Sequence, residues 1–390
     1  MPTKIDKVLV WGSDIEPETI AQAAKASRLP FVQGHLALMP DAHVGLGATI
    51  GSVIPTRGAI IPSAVGVDIG CGMIAAETSL IASDLPDDLT ALHTSISRVV
   101  PAGLGKAHET QSWATSDPRW SKLPELPASS SKWGDKDQRK THDQFGTLGS
   151  GNHFVEVCLD ESDRVWIVLH SGSRGIGNTL AQRHIEGAKG IMARYFIELE
   201  DPDLAYLAEG TPEFDEYLAD MLWAQRYAMA NREAMIDAVL AQLFAAVGAG
   251  TENRRINCHH NYTEMEHHHG RDVWLTRKGA IRARKGDLGV IPGSMGTASY
   301  IVSGLSNPAS YDSCSHGAGR RMSRSAARKS LTVDSLREQM GTRSWDTDKA
   351  EALLDEHPLS YKDIDQVMAD QADLVTIEHT LRQVLNYKGT

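Results

Sequence analysis

The sequence predicts an α+β protein, because segments typical of strands and segments typical of helices occupy different parts of the chain. Residues 37–76 are dense in Gly and Pro with short β-branched pieces. Residues 179–248 are rich in Ala, Leu, Met, Glu and Arg, as helices are. Apolar and polar residues then alternate in DVWLTRKGAIRA and GVIPGS, which predicts further strands. The length of 390 residues alone leaves the number of domains open.

The first half of the chain predicts strands and one long loop. The segment ALMPDAHVGLGATIGSVIPTRGAIIPSAVGVDIGCGMIAA (37–76) indicates short strands joined by tight turns. Residues 105–140 are polar and rich in Pro and Ser, which predicts a surface loop or lid within a domain. VWIVLH (165–170) is typical of a buried strand.

The second half predicts mainly helices. Residues 179–248 should form several helices, broken at ELEDPDL and GTPEFDE, with Thr211 as an N-cap before Pro212. Their Met and Leu stripes are typical of core packing. After the strands that follow, helical patterns resume beyond Ser310 and are expected to run to the end, through TIEHTLRQVLNYKG.

Composition excludes several protein classes. Hydrophobic residues make up 41% and charged residues 23%, as in a soluble globular protein. Without a secretory signal or a run of about 20 apolar residues, a cytoplasmic location is expected. The cysteines are widely scattered without a CxxC pair, so reduced thiols are expected at Cys71, Cys158, Cys258 and Cys314.

The formal net charge of −11 argues against a protein coated with basic surface for nucleic acid. Binding to RNA would therefore need a local basic patch. The candidate segments are Arg254/Arg255, Arg277–Lys285 and Arg320–Arg328. Any one of them could equally be an ordinary solvated face.

Histidines provide the strongest chemical signal. Several of the 16 lie in Gly-, Ser- or Asn-rich turns, namely MPDAH, GSGNH, LHSGSRG, CHHNY and SHGAG. A histidine in such a turn can point into a cleft, as metal ligation and nucleophilic catalysis require. Asp68 and Cys71 lie three positions apart in VDIGCG, so a tight turn can bring a carboxylate and a thiolate to one point. Together with histidine nitrogens they form a mixed O, S and N donor set that suits a borderline divalent metal, and ligand type alone favours zinc. The HHH run at 267–269 is interpreted as incidental.

No common phosphate motif is present, since G-x-x-x-x-G-K-[ST] is missing and GLGATIG lacks the G-x-G-x-x-G spacing. Three Gly-rich turns could instead offer backbone N–H groups to phosphate oxygens. These turns are GTLGSGN (146–152), SGSRG (171–175) and HGAGR (316–320).

A series of segments resembles the signature segments of RtcB RNA ligases, in the same order. They are MPDAHVGLGATIG, GVDIGCG, GTLGSGNHFVEV, LHSGSRGIG, CHHNYTEMEHHHG, TRKGAI, IPGSMGTASY, SHGAGRRMSR and the terminal NYKG. The resemblance implies a single catalytic domain over residues 1–390, with mixed and antiparallel sheets around a metal cleft and flanking helices.

The resemblance also implies an activity, cofactors and site residues. RtcB ligases join a 2′,3′-cyclic phosphate or 3′-phosphate RNA end to a 5′-hydroxyl end, in tRNA splicing or RNA repair, using GTP and manganese. The resemblance therefore implies GTP and two manganese ions as cofactors of this protein. His316 falls on the histidine that carries GMP. The implied metal ligands are Asp68, Cys71, His153, His170 and His260, with His260 preferred to His259 because it precedes Asn261-Tyr262. The implied GTP-binding residues are Asn152, Phe154, Glu156, Ser294, Ala318, Gly319 and Lys388, with Arg174 and Arg320 near phosphate.

Two positions depart from the family pattern. Gly70 stands where the family usually has Asn, and Asn178 stands where His is common. They suggest a divergent member, linked to repair and to a release factor-like partner. Two alternatives remain: a metal-dependent phosphohydrolase or cyclic phosphodiesterase on RNA ends that does not use GTP, and a non-catalytic binder of RNA ends. The oligomeric state is left open.

Overall fold

The computed structural model describes residues 2–108 and 116–389. Within these residues the chain is a mixture of helices and strands, which confirms the predicted α+β class. The strands are β1 Thr3–Ile5, β2 Val8–Val10, β3 Leu36–His43, β4 Ile50–Thr56, β5 Ala59–Ile60, β6 Gly72–Ile81, β7 Phe154–Leu159, β8 Arg164–Ser171, β9 Leu207–Ala208, β10 Glu252–His259, β11 Asn261–His268, β12 Arg271–Lys278, β13 Ala280–Arg282, β14 Leu288–Pro292, β15 Ser299–Gly304, β16 Ser313–Ser315, β17 Ser344–Trp345 and β18 Val375–Lys388.

Helices cover the sheets and fill the connections. They are α1 Pro17–Ser27, α2 Pro62–Val65, α3 Thr90–Val99, α4 Asp135–Asp143, α5 Arg174–Arg194, α6 Pro212–Val247, α7 Arg324–Ser330, α8 Val333–Met340 and α9 Ile364–Asp370. Across residues 2–108 and 116–389, no helix combines the length and apolarity needed to span a membrane.

Two large sheets and two short ribbons organise the described strands. One sheet has the order β1-β2-β3-β4-β12-β11, and the other has the order β10-β6-β8-β7-β18-β15-β14, with β17 added beside β18. The ribbons are β13-β16 and β5-β9. Most pairs are antiparallel, while β2 with β3 and β17 with β18 are parallel, so the expected mixed and antiparallel sheets are confirmed.

The large sheet aligns several strand ends at one edge. Antiparallel partners run from β18 through β7, β8 and β6 to β10, in the register Lys388↔Phe154↔His170↔Met73↔Cys258. The chain then passes from β10 directly into β11 of the other sheet through the single residue His260. Side chains and turns that are distant in sequence therefore meet at this edge.

The helical prediction for residues 179–248 is confirmed: α5 ends at Arg194, the helices are interrupted at ELEDPDL and up to the start of GTPEFDE, and α6 runs from Pro212 to Val247. α6 starts where predicted, because Pro212 occupies its first turn and the Thr211 side chain accepts a hydrogen bond from Phe214 N at 3.3 Å. The apolar faces of α5 and α6 pack into one buried cluster, as the Met and Leu stripes predicted.

The predicted loop at 105–140 is only partly described, since residues 109–115 lie outside the described ranges. Its later part forms the start of α4 and packs against the helices. Lys132 pairs with Glu216, the buried Ser129 donates to Asp220, and Trp120 packs edge-on against Phe145. These contacts hold the segment on the helical side of the protein.

The prediction that helices run to the C-terminus is wrong for TIEHTLRQVLNYKG. This segment lies in β18, a strand of 14 residues. It pairs with β15 along its first half and with β7 along its second half. Hydrogen bonds to two partners far away in sequence outweigh the weak local preference for a helix.

Gly70 allows the Asp68–Cys71 turn to pack closely against α6. Its φ is +70°, and a Cβ there would lie 2.8 Å from Gln225 Cα and 3.0 Å from Ala228 Cβ of α6. Gly70 N also donates to Asn261 O at 2.7 Å. The turn can approach α6 this closely because the residue has no side chain.

We therefore expect Gly70→Ala to destabilise the protein more than Gly58→Ala. Gly58 has a similar φ of +76° but open space around its missing Cβ, so its substitution costs only the backbone strain of about 1–2 kcal/mol. Urea unfolding of both variants measures the difference. An equal decrease in the free energy of unfolding in both variants would show that the close approach of α6 does not restrict residue 70.

Candidate metal centre and nucleotide cleft

Five side chains implied as metal ligands form an unbroken chain of contacts at the aligned sheet edge. Asp68 Oδ2 lies 3.1 Å from His153 Nε2, which lies 3.4 Å from Cys71 Sγ. The same sulfur is 3.2 Å from His170 Nε2, which lies 2.9 Å from His260 Nε2. Bonds of about 2.0–2.3 Å to a shared ion place neighbouring donors about 3–4 Å apart, so these distances suit metal ligation.

The backbone and neighbouring side chains orient these donors. His170 Nδ1 lies 3.2 Å from Asn152 O, a carbonyl to which it can donate, and this leaves Nε2 free as a ligand. Arg174 Nη2 lies 3.1 Å from His153 Nδ1. Ser173 N donates to Asp68 Oδ1 at 3.1 Å. These contacts restrict rotation of the His170, His153 and Asp68 side chains.

Burial sets the protonation states of the cluster. It lowers the pKa of His153 and lowers those of His170 and His260 still further, so all three rings are in the neutral form that binds metal. Burial, then the Asp68 carboxylate, raises the pKa of the Cys71 thiol well above its usual value. Burial would also raise the pKa of Asp68, but the hydrogen bond with His153 and the charge of Arg174 hold that pKa low.

The donor set therefore fits a divalent metal. A carboxylate, a thiol and three neutral imidazoles offer mixed O, S and N ligands, and a cation would favour the thiolate that burial alone disfavours. A group of Cys71, His153 and His170 has all its donor atoms within 4.8 Å of one another. The sulfur touches histidines on both sides, an arrangement that allows a thiolate to serve two ions.

The adjacent histidine His259 turns away from the donors. Its Nδ1 lies 2.8 Å from Gly70 O and 3.2 Å from Arg232 Nη2, and burial lowers its pKa to about 3. Arg232 itself is fully buried and donates to Gly70 O and Ser171 O. No sequence pattern indicated this arginine, whose hydrogen bond to Gly70 O stabilises the Asp68–Cys71 turn.

The HHH run does not converge on one point. His267 contacts the exposed Asp272, and the buried His268 contacts Glu266. His269 packs its ring edge-on against Tyr311. The three rings therefore have different partners, in line with the interpretation of the run as incidental.

His316 has a partner that the sequence analysis missed. Its Nδ1 lies 2.6 Å from Asp41 Oδ2, and its backbone N donates to the same oxygen at 3.2 Å. Asp41 is fully buried in β3. Since a carboxylate accepts, it holds the proton on Nδ1 and leaves Nε2 unprotonated. The ring of His316 lies 4.6 Å from that of His260 between centroids, beside the metal donors. Asp41 lies in the MPDAH segment, which the sequence analysis singled out for its histidine.

A cavity of about 460 Å³ joins the metal donors to the implied GTP-binding residues. This size is typical of small-molecule sites. The implied residues that line it are Asp68, Cys71, Asn152, Phe154, Glu156, His170, His260, Ser294, His316, Ala318, Gly319, Arg320 and Lys388. His153 and Arg174 are not among the residues that line the cavity. Arg174 donates to Leu148 O, and its guanidinium contacts His153.

One end of the cavity carries a buried carboxylate with free acceptor capacity. Glu156 is 2% exposed, and Asn386 Nδ2 donates to its Oε1 at 2.7 Å. Burial raises its pKa to about 8 even though Lys388 opposes the shift. The Lys388 ammonium lies over the Phe154 ring, 5.1 Å from its centroid. An aromatic face, a cation and a carboxylate therefore surround this end.

Lys278 also lines the cavity, although the sequence analysis gave it no role there. Its buried Nζ donates to the carbonyls of Leu46, Ala48 and Ser63 at 2.6–3.0 Å. Burial lowers its pKa to about 7. The lysine ties the loop after β3 to α2 and thereby shapes one rim of the cavity.

The three predicted basic patches differ in availability. Arg255 is paired with carboxylates of Glu233, Asp237 and Glu252, so it offers little free charge. In the second patch Arg277 is fully buried against Glu266. The third patch borders the cavity, because Arg320 and Arg324 line it and Arg321, Arg328 and Lys329 are exposed beside them.

Comparison with known proteins identifies the family. A family profile described as tRNA-splicing ligase RtcB matches residues 22–389. The chain belongs to the RtcB family. It is 46% identical to the RNA-splicing ligase RtcB of Escherichia coli K12, over 100% of this chain and 99% of that protein. It is 30% identical to the tRNA-splicing ligase RtcB of Nanoarchaeum equitans, over 90% of this chain and 87% of that protein.

The two departures from the RtcB pattern leave the donors in place. Gly70 serves the close packing of α6 described above, and Asn178 is exposed on α5. All four cysteines are free, as predicted.

We expect Cys71→Ala to lose tightly bound metal, whereas Cys314→Ala keeps it. Cys314 is equally buried but its sulfur contacts Ser315 O, outside the cavity. Titration with Co²⁺ measures this through the thiolate-to-cobalt absorption band. A band that survives in Cys71→Ala would remove the thiol from the ligand set.

Proposed function

We propose that this RtcB-family enzyme is an RNA ligase that joins 2′,3′-cyclic phosphate or 3′-phosphate ends to 5′-hydroxyl ends, using GTP and manganese. The observation that carries the proposal is the Asp41–His316 pair, whose free nitrogen borders both the metal donors and the nucleotide-sized cavity. The names of the relatives, RNA-splicing and tRNA-splicing ligase, support the substrate class. Strands from β3 to β18 contribute to this one site, which supports a single catalytic domain over residues 1–390.

In the first step His316 acts as the nucleophile. Its neutral Nε2 attacks the α-phosphorus of GTP, an N–P bond forms, and pyrophosphate leaves with the electron pair of the broken P–O bond. The imidazolium-like ring that results keeps its Nδ1 proton, and the buried Asp41 carboxylate stabilises that charge. Asp41 thus orients the ring before the reaction and supports it afterwards.

Metal would be held by Asp68, Cys71, His153, His170 and His260, where bound divalent ions supply Lewis-acid stabilisation of phosphate oxygens. We propose manganese at this site, with two ions. Ala318 and Gly319, close to the nucleophile, line the cavity. Ala318 N donates to Pro292 O at 3.0 Å, so it is the Gly319 N–H that can donate to phosphate. Arg320, at the same turn, adds a fixed positive charge.

The choice of guanine follows from Glu156. Burial keeps Glu156 largely protonated in the free protein, but the adjacent N1–H and N2–H₂ donors of guanine would favour its ionised form, which can accept both. Adenine instead presents an acceptor at N1. Asn386 donates to Oε1 of Glu156, while Oε2 has a long contact of 3.9 Å from Cys158 Sγ. Phe154 and Lys388 border the same space, where the ring can pack against the nucleotide and the ammonium can donate to it.

The stored N–P bond then serves ligation. A 2′,3′-cyclic phosphate is first opened by water, which leaves a 3′-phosphate and a 2′-hydroxyl. An oxygen of the RNA 3′-phosphate attacks the guanylate phosphorus and releases His316, giving an activated RNA end. The 5′-hydroxyl oxygen then attacks the 3′-phosphate, its proton passes to solvent, and GMP leaves with the electron pair of the broken P–O bond. Both steps pass through phosphorus centres beside the same cations, so one set of charges stabilises each transition state. The exposed arginines of the 320–328 patch lie where RNA ends would enter.

Incubation with α-labelled GTP and Mn²⁺ tests the nucleophile. Wild type and His267→Ala should become labelled, because His267 lies on the surface with Asp272 as its partner. His316→Ala should show no label, while its metal content is unchanged. An unlabelled wild type with metal bound would overturn the ligase mechanism and favour the GTP-independent phosphohydrolase.

Asp41→Asn should slow guanylylation by about 10²–10⁴-fold, because an amide that donates to Nδ1 forces the proton onto Nε2. The side chain keeps its size, so folding and metal content should be close to wild type. The initial rate of labelling at saturating GTP measures the effect. A rate within twofold of wild type would show that Asp41 does not set the tautomer.

A further inference from the structure

Glu356 is a buried carboxylate that collects four cavity residues. Its side chain is 1% exposed. Oε2 accepts from Lys388 Nζ at 3.0 Å and from the Tyr361 hydroxyl at 2.7 Å. Oε1 lies 3.4 Å from Arg320 Nη1 and 3.8 Å from Arg324 Nη2. One side chain therefore contacts three cations and a phenol.

These four partners come from three separate parts of the fold and all line the cavity. Lys388 ends β18, the two arginines follow the His316 turn, and Tyr361 follows a short 3₁₀ turn at Pro358–Ser360. Glu356 stands behind them, where it contacts the wall of the cavity. It is placed to fix their relative positions without touching a nucleotide itself.

The charge of Glu356 helps to hold these cations together, and Asp355 adds a second carboxylate, with its Oδ2 3.6 Å from Arg324 Nη1. Burial would raise its pKa, but Lys388, the Tyr361 hydroxyl and Arg320 outweigh burial and lower it, so the carboxylate is ionised at neutral pH. Glu156 is also near Lys388, yet its pKa is about 8, so it is largely neutral there. The negative charge beside Lys388 in the described wall is therefore that of Glu356.

The positions matter because the cations have different further contacts. Arg320 also donates to Asp355 O and Met322 O and lies over the Tyr361 ring. Lys388 has a long flexible side chain, and its ammonium donates a hydrogen bond to Glu356. Loss of the carboxylate charge should therefore affect Lys388 more than Arg320.

We propose that Glu356 is a positioning residue of the nucleotide site, which holds Lys388 and Tyr361 against the guanine end of the cavity and acts through Lys388. The inference rests on the proposed use of GTP. It assigns Glu356 to nucleotide binding and not to chemistry, because Glu356 accepts from Lys388, whereas the carboxylate that contacts His316 is that of Asp41.

The test compares Glu356→Gln with Glu351→Gln, an exposed glutamate on the same segment. Labelling rates with α-labelled GTP are measured over a range of GTP concentrations. Glu356→Gln should raise the GTP concentration for half-maximal rate about tenfold, with the maximal rate within twofold of wild type. Glu351→Gln should match wild type in both.

Two further variants separate positioning from a purely structural role. In a Lys388→Met background, Glu356→Gln should change the half-maximal GTP concentration by less than twofold, because the residue through which it acts is gone. Thermal unfolding and metal content are measured on every variant. An unchanged half-maximal concentration in Glu356→Gln, or a parallel loss of maximal rate, metal and thermal stability, would overturn the inference. A wild type without label would instead overturn the proposed function.

Discussion

The hydrogen-bonded register of the large sheet is the constraint on which the site depends. It places Lys388, Phe154, His170, Met73 and Cys258 in one row across five strands. A shift of one residue in any of these pairs would send the side chains to the opposite face of the sheet. The metal donors and the nucleotide residues can be far apart in sequence because this ladder, and the packing of α6 behind it, fix their mutual distances.

Buried charge is the second organising feature, and three of the buried charged groups around the site have compensating partners. Asp41 is compensated by His316, and Glu356 by Lys388, Tyr361 and two arginines. Arg232 is compensated by backbone carbonyls of the metal turn. Such groups cost free energy to bury, and removal of one partner leaves the other unsatisfied. The wall of the cavity is therefore preorganised for a charged ligand, since its dipoles need little reorientation on binding.

Much of the site was visible in the sequence because its residues lie in turns with unusual composition. The Gly-rich segments carried Asp68, Cys71, His153 and His316, and the structure brings these together. The residues that were missed lack such a signal: Arg232 looks like any arginine of a helix, and Glu356 lies in an ordinary acidic stretch. β18 was mistaken for a helix because its pairing with β7 and β15 is nonlocal. Local patterns reveal turns and faces, whereas partners distant in sequence are decided by packing.

The acidic composition agrees with a ligase of RNA ends once the placement of basic residues is considered. Arg255 and Arg277 are committed to carboxylates, so the basic segments that contain them do not form an extended surface for a polyanion. Arg320 and Arg324 instead border the cavity, although Glu356 offsets part of their charge. Attraction to phosphate is thus concentrated within a short distance of His316. Screening at physiological salt limits the reach of such a patch to about 8 Å. Under the proposed function, this placement favours phosphorylated ends that enter the cleft over the continuous backbone of intact RNA.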